Sequence, residues 1–291
     1  MPGSALILGD SIPKLHSDEY GKISKLVYEH CGLDLREGKQ SFIAVRLGKT
    51  LRELRLSSFQ VYLEYVRADR TGVALASMVD HLTTNHTSFF REPSHFDFLC
   101  KDIFPALRAR PPIHIWSAGC SSGEEPYSIA ISLMEEYGME AAERVRILGT
   151  DISLRVLERA RRGVYPAERF EGLPVPLLQR YLLKGHNASA QSYRIKSAIR
   201  SMVEFEYLNL MGQLPENYRC SVIFCRNVMI YFDKPTQQNL VARLTDHLEQ
   251  GGYLLIGHSE SLNTISHGLD YVSPAIYRKP NLVRSFKIGR Y

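Results

Sequence analysis

Residues 113–130, Ile-His-Ile-Trp-Ser-Ala-Gly-Cys-Ser-Ser-Gly-Glu-Glu-Pro-Tyr-Ser-Ile-Ala, constrain the fold of this chain more than any other stretch. A short apolar run at 113–116 feeds a small-residue turn at 117–123, and a helical pattern then starts at Glu124 and carries Ile129, Ile131 and Leu133. The pattern predicts strand, tight turn, helix, the opening of a βα unit. Gly119 and Gly123 can take positive φ and have no side chain, so a ligand can lie against bare backbone there. Amides at the helix start add a weak positive field.

The turn is Gly-x-x-x-Gly followed by two acids, Glu124 and Glu125, which is neither the dinucleotide fingerprint nor a phosphate-binding P-loop. Acids beside the turn repel a pyrophosphate. They suit a ligand with a hydroxyl, amino or sulfonium group, which points to S-adenosylmethionine rather than NAD or ATP. The competing reading is a structural turn of any α/β domain. A second strand is expected at 145–148, running into Gly149, Thr150 and Asp151; the separation from Gly119 to Asp151, 151 − 119 = 32 residues, fits one βαβ step. Nucleoside-binding α/β folds hold ribose hydroxyls on an acid at the end of the second strand, so Asp151 is the ribose candidate. An acid just ahead of a helix is also a common N-cap.

At 291 residues the chain can bury a sizeable core in two domains, or in one with an insertion. Its formal charge of +5 argues for locally basic surfaces rather than a dedicated nucleic-acid binder. No apolar stretch is long enough to span a bilayer, and the run at 5–8 is too short for a signal peptide and lacks its basic flank. A cytoplasmic location is expected. Five cysteines without paired CxxC spacing support neither a disulfide framework nor a zinc site, so reduced thiols are expected.

Residues 1–84 read as a helical domain and linker. Between 41 and 56, Ile43, Leu47, Leu51 and Leu54 fall on one narrow arc at about 100° per residue, while Arg46, Lys49, Arg52 and Arg55 wind over the opposite arc. This basic arc is either a solvated face or a docking surface for an acidic helical partner. The run 81–98 is a polar connector followed by aromatics. His81, His86 and His95 lack one-face helical spacing, so no metal is expected, and Asn85, Thr87 and Arg91 are the members expected to face a pocket.

After a basic amphipathic helix at 154–162, residues 163–166 read as a turn. The stretch 174–210 breaks the βα rhythm: 185–191 is loop-like, and 192–199 and 201–208 alternate as strands of a small antiparallel sheet would. The chain returns to the main sheet at Asn209. Residues 222–225 form a buried-strand candidate running into Arg226 and Asn227, which with Tyr231 are placed at the ligand crevice by the rule for open α/β sheets. A helix at 235–249, a strand at 253–256, a polar loop holding His258 and a final strand at 271–278 complete the domain.

Three motifs, residues 83–92 (Thr-Thr-Asn-His-Thr-Ser-Phe-Phe-Arg-Glu), 116–128 and 225–232, stand in order, and with them the sequence closely resembles the CheR chemotaxis receptor methyltransferases. The resemblance implies an all-α N-terminal domain over 1–84 and a class I S-adenosylmethionine-dependent methyltransferase domain of Rossmann-like α/β fold over 85–291, with a small antiparallel β-subdomain inserted at about 174–208. It also implies methyl transfer from S-adenosylmethionine to glutamate side chains on the cytoplasmic methylation helices of chemoreceptors, with S-adenosylhomocysteine as the other product. Carried over position by position, the cofactor contacts are Asn85, Thr87, Arg91, Glu125, Asp151, Asn209, Leu210, Arg226 and Asn227, beside the turn at Gly119. Arg91, Arg226 or Tyr231 is expected to orient the substrate carboxylate, and Arg46, Lys49, Arg52 and Arg55 to meet the receptor. A monomer without a nucleic-acid partner is expected. A methyltransferase acting on DNA or on a glutamine amide would carry Asn/Asp-Pro-Pro-Tyr where this chain has Arg226-Asn227-Val228-Met229. A non-catalytic receptor-binding scaffold that keeps cofactor binding is the other rival.

Overall fold

A computed structural model describes residues 13–35, 38–187, 190–214 and 218–281; the apolar run at 5–8 lies outside the described residues. The chain divides into two compact units, Met1–Thr84 and Asn85–Tyr291. Among the described residues no helix is long and apolar enough to cross a membrane.

The first unit holds α1 (Ser17–Cys31), α2 (Gln40–Glu53), α3 (Phe59–Ala68) and α4 (Val73–Leu82). Local chemistry sets their ends: the His16 amide donates to Glu19 Oε2 at 2.8 Å ahead of α1, and Ser58 Oγ accepts from the Val61 amide at the start of α3. Ile43, Leu47 and Leu51 of α2 are fully buried, as their periodicity predicts. Leu54 departs from that arc. The helix stops at Glu53, Leu54 is 41% exposed, and Arg55 turns into the left-handed region at φ 56°. Arg46 departs from the basic arc as well: its guanidinium lies 4.8 Å above the Phe42 ring and donates to the carbonyls of His81 and Thr83 at 3.3 and 3.2 Å. Carbonyls at the end of a helix have no partner within it, and a nearby cation readily serves them. Lys49, Arg52 and Arg55 are exposed, with Lys49 3.8 Å from Glu53.

The second unit opens with α5 (Ser94–Phe98), a π turn over Leu99–Ile103 and α6 (Phe104–Leu107). Then come β1 (Ile113–Ala118), α7 (Glu124–Tyr137), α8 (Met139–Arg144), β2 (Val145–Asp151) and α9 (Leu154–Arg162). They are followed by β3 (Val164–Pro166), α10 (Val175–Tyr181), β4 (Leu182–Lys184), β5 (Ser192–Ile195), α11 (Ser197–Arg200) and β6 (Val203–Tyr207). The chain continues through β7 (Cys220–Cys225), α12 (Lys234–His247), β8 (Leu248–Ile256), β9 (Asp270–Ser273) and β10 (Ile276–Arg278).

Seven strands form the main sheet in the order β6-β2-β1-β7-β8-β10-β9. The β6, β2, β1, β7 and β8 strands run parallel, with Ile115 opposite both Ile147 and Val222, and the last two strands are antiparallel. The central strand β7 is buried at every position, as a parallel strand covered on both faces must be. Its alternate side chains divide between two cores: Val222 and Phe224 pack with Ile129, Ile131 and Leu133 of α7, while Ile223 and Cys225 pack with Leu240, Val241 and Leu244 of α12. From β1 the sheet grows to β2 on one side and to β7 on the other. The crevice for a ligand therefore opens past the carboxyl ends of β1 and β7.

Three expectations need correction. A separate three-stranded antiparallel sheet exists in the order β3-β5-β4, but Val203–Tyr207 is not in it; β6 instead pairs in parallel with β2 at the edge of the main sheet, Val203 opposite Ile147. An edge strand with one covered face alternates like an antiparallel one, which is how the sequence misleads. The small sheet takes Val164–Pro166 as its first strand, a segment whose Gly and Pro read as a turn, so it starts ahead of 174. Finally, residues 271–278 are two strands, β9 and β10, reversing through Ala275 at φ 62°.

Candidate active site

The β1–α7 turn is shaped by its neighbours. A Cβ on Gly119, which sits at φ 84°, would come within 2.4 Å of Val228 Cγ2, and one on Gly123 within 2.8 Å of Ala160 Cβ in α9. Both glycines therefore permit close approach of chain to chain, and the side chain that Gly119 lacks would point at Val228. The amides of Gly119 and Cys120 both donate to the Thr150 carbonyl at the end of β2, at 2.8 and 2.9 Å. Asp151, the next residue, takes the Ser121 amide on Oδ2 at 2.8 Å and the Ser153 amide on Oδ1 at 2.9 Å. The carboxylate is thus fixed between the turn after β1 and the start of α9, where Ser153 Oγ rather than Asp151 caps the helix. An ionised carboxylate accepts at about four positions, and vicinal hydroxyls fit its chemistry.

Arg226, the residue after β7, ties this turn to the connector at 85–98. Its side chain is 2% exposed and lies 3.0 Å from both Glu92 Oε2 and Glu125 Oε2, while Nη2 also donates to the Arg91 carbonyl. Glu125 is further held by Ser117 Oγ at 2.7 Å. Burial raises the Glu125 pKa, with Arg226 working against it. At Glu92 burial also opposes ionisation, but Arg226 together with the His258 amide outweighs it, and the carboxyl sits below its ordinary range. Glu124 takes no part in this network. It is fully buried, accepts from Ser122 Oγ at 2.7 Å, lies 3.6 Å from Arg169 Nη1, and has its pKa raised by burial.

The remaining expected residues sit around this centre. The Asn85 carbonyl accepts from Ser121 Oγ at 3.1 Å, the Thr87 carbonyl from Arg169 Nη1 at 2.8 Å, and Arg91 Nη1 donates to the His86 carbonyl at 3.2 Å. Asn227 is held at φ 59° with its amide on Glu260 Oε2 at 2.9 Å. Asn209 and Leu210 follow β6, with the Met211 amide on Asn209 Oδ1 and Arg243 Nη1 on the Leu210 carbonyl. Tyr231 ends the single 3₁₀ turn Met229–Tyr231 beyond β7 and is half-buried. Asp151 ends β2, and Gly119, Asn209, Leu210, Arg226, Asn227 and Tyr231 stand past the carboxyl ends of parallel strands. Arg46, Lys49, Arg52 and Arg55 belong to the helical unit.

Sequence reasoning missed the roles of Glu92, Ser121, His95 and Glu260. Glu92 was visible inside Phe-Phe-Arg-Glu, and Glu260 inside Gly-His-Ser-Glu, but nothing local signals their partners. His95 was paired in sequence with His81 and His86; in the fold it meets Glu92 and His258, with ligand atoms of the three within 4.8 Å of one another. His95 is fully buried, its Nδ1 is 3.5 Å from Glu92 Oε2, and its ring stands edge-on to His258 at 4.7 Å between centroids. Burial first, and the Arg226 charge second, lower its pKa to about 4. Glu92 already has a cation partner in Arg226.

Comparison with known proteins agrees with this arrangement along the chain. Residues 18–83 match the family description "CheR methyltransferase, all-alpha domain", and residues 85–276 match "CheR methyltransferase, SAM binding domain". A chemotaxis protein methyltransferase of Borreliella burgdorferi is 40% identical over 90% of this chain and 94% of its own. Chemotaxis protein methyltransferase 2 of Pseudomonas aeruginosa is 40% identical over 89% of this chain and 92% of its own, and the Escherichia coli chemotaxis protein methyltransferase 35% over 90% and 91%. With a helical first unit, a largely parallel sheet in the second, and matches over both parts, the chain belongs to the CheR methyltransferase family.

Proposed function

We propose that the chain methylates glutamate side chains on the cytoplasmic helices of chemoreceptors, with S-adenosylmethionine as donor and a glutamate 5-O-methyl ester as product. Similarity to chemotaxis protein methyltransferases over 90% and 89% of the chain carries this reading. Residues 1–84 serve as the receptor-facing domain and 85–291 as the cofactor-binding one. When bound, S-adenosylmethionine supplies an electrophilic methyl on a sulfonium. Asp151 is assigned to the ribose hydroxyls, and Asn85, Thr87, Arg91, Glu125, Asn209, Leu210 and Asn227 to the remainder of the cofactor pocket around Gly119.

A substrate glutamate, with an ordinary pKa near ~4.3, is already a carboxylate at neutral pH, so no general base is needed. What the protein supplies is position. Holding an oxygen in line with the reacting carbon lowers a barrier by roughly 7 to 11 kcal/mol in well-oriented systems. Both charges are neutralised as the ester forms, so excluding water favours the reaction. Arg226 makes four hydrogen bonds to Glu92, Glu125 and the Arg91 carbonyl, which suits a post that holds Glu125 rather than a group that takes the substrate. Arg91 and Tyr231 are the groups assigned to the substrate carboxylate. Lys49, Arg52 and Arg55 are the cations assigned to the receptor; Arg46 is tied to the carbonyls after α4.

The test is transfer of tritiated methyl from S-adenosylmethionine to a receptor cytoplasmic domain, read as base-labile methanol. A chain that binds S-adenosylhomocysteine but transfers nothing to any receptor is a scaffold, and the proposal fails.

A further inference from the structure

The loop that carries Asn227 and Tyr231 has little regular structure to hold it. Between the last residue of β7 and the start of α12 it makes a single 3₁₀ turn, and Asn227 sits in the left-handed region, which Asn tolerates better than most residues. Its backbone donors need acceptors from elsewhere. One side chain provides several. Glu260 Oε2 accepts from the Asn227 amide at 2.9 Å and from the Gly257 amide at 2.7 Å, and Oε1 accepts from the Ile230 amide at 3.2 Å. The two loops also touch directly, because a Cβ on Gly257 would lie 2.4 Å from Asn227 Nδ2 and 2.9 Å from the Asn227 amide nitrogen. A turn closed by the Glu260 amide on the Gly257 carbonyl at 2.9 Å aims the carboxylate.

We propose that Glu260 is a positioning residue for methyl transfer, whose carboxylate holds segment 227–231 by its backbone amides so that Asn227 and Tyr231 present one fixed wall of the site. The proposal rests on the roles given to Asn227 and Tyr231 above. Charged acceptors make stronger hydrogen bonds to amides than neutral ones, so a carboxylate bridging two loops orders them more firmly than an amide or a water can. Glu260 itself touches neither substrate nor cofactor in this account. It acts through the segment it binds.

Glu260→Ala and Glu260→Gln test it, with amide hydrogen exchange, S-adenosylhomocysteine calorimetry and receptor methylation measured on the full chain. Glu260→Ala is expected to speed exchange at the Asn227 and Ile230 amides by about tenfold or more while amides of β1 and β7 keep their protection, and to lower kcat by about tenfold with a smaller change in receptor KM. Glu260→Gln, which keeps one acceptor oxygen, should fall between. In a Tyr231→Phe background, Glu260→Ala should cost less than it does alone, because the two act through one segment. A kcat and a cofactor affinity that both stay within about twofold of the parent overturn the proposal, as does exchange that accelerates equally across β1 and β7. Failure of the methyltransferase reading looks different: the parent chain itself would transfer no methyl, whereas exchange and S-adenosylhomocysteine binding report on Glu260 without turnover.

Discussion

Acid should destabilise the second unit through His95, and the size of the effect follows from its surroundings. Its ring is fully buried, and burial followed by the Arg226 charge lowers its pKa from 6.5 to about 4. An unfolded chain therefore binds a proton at this residue below its ordinary value, while the folded chain does so only near the lowered one. Between the two values the unfolded state holds more protons, so stability is present above about pH 6.5 and is lost as pH falls through about 4. At 1.36 kcal/mol per unit, a shift of this size gives about 2.5 kcal/mol between roughly pH 7.5 and pH 4.5. Replacement by Phe keeps a ring and removes two buried nitrogens that have no hydrogen-bond partner. Urea unfolding followed by Trp116, the single tryptophan, reports on the sheet of this unit, since Trp116 lies in β1. The stability difference between the two pH values should shrink by about 2.5 kcal/mol in His95→Phe, and any constant cost of packing a larger ring cancels in that difference. Equal pH dependence in parent and variant, or a ring titration near 6.5 by NMR, would refute the account.

Asp151→Ala should weaken S-adenosylhomocysteine binding by on the order of 1.5 to 3 kcal/mol in calorimetry, the range for hydrogen bonds to a charged group; unchanged affinity removes Asp151 from the ribose. Gly119→Ala should weaken cofactor binding by displacing Val228, since the added Cβ meets Val228 Cγ2 at 2.4 Å, and Val228→Ala should partly restore it; a double variant no better than the single one places the fault in backbone strain at φ 84°. Arg52→Glu with Arg55→Glu should lower kcat/KM for receptor at low salt and flatten its salt dependence, each exposed pair being worth only ~0.2 to 1 kcal/mol, while S-adenosylhomocysteine affinity holds. Unaltered methylation rates with that double variant would leave the exposed basic residues of the helical unit an ordinary solvated surface.

Where the chemistry is local, the sequence discloses it. The strand at 113–118, the glycine turn and the helix start at Glu124 follow from an apolar run, small residues and a helical period within a few residues of one another, and Asp151 follows from one further βα step. Distance along the chain hides the rest. Glu92 and Arg226 are 134 residues apart, and the Glu260 contact to Asn227 spans 33, so no periodicity or spacing rule relates them. Arg46 shows the same limit on a small scale, because a helical wheel counts its charge but cannot see the α4 carbonyls 35 and 37 residues away.

The hidden partners also change what the visible residues mean. Read alone, Glu124 and Glu125 are two acids at the mouth of a turn, attractive to a cationic ligand. In the fold Glu124 is sealed against Ser122 with Arg169 near it, and Glu125 shares Arg226 with Glu92. The negative character here comes from Glu92 and Glu125 sharing one buried guanidinium, two acids to one base. On the proposed assignment of Glu125 to the cofactor pocket, a sulfonium beside these acids would meet a field that favours positive charge. Because Arg226 fixes Glu125 before the cofactor arrives, that field is preorganised, and mobile water need not be rearranged to create it. Arg226→Lys preserves the charge but loses the planar fork that reaches Glu92, Glu125 and the Arg91 carbonyl together, so the arrangement depends on guanidinium geometry more than on the presence of a cation.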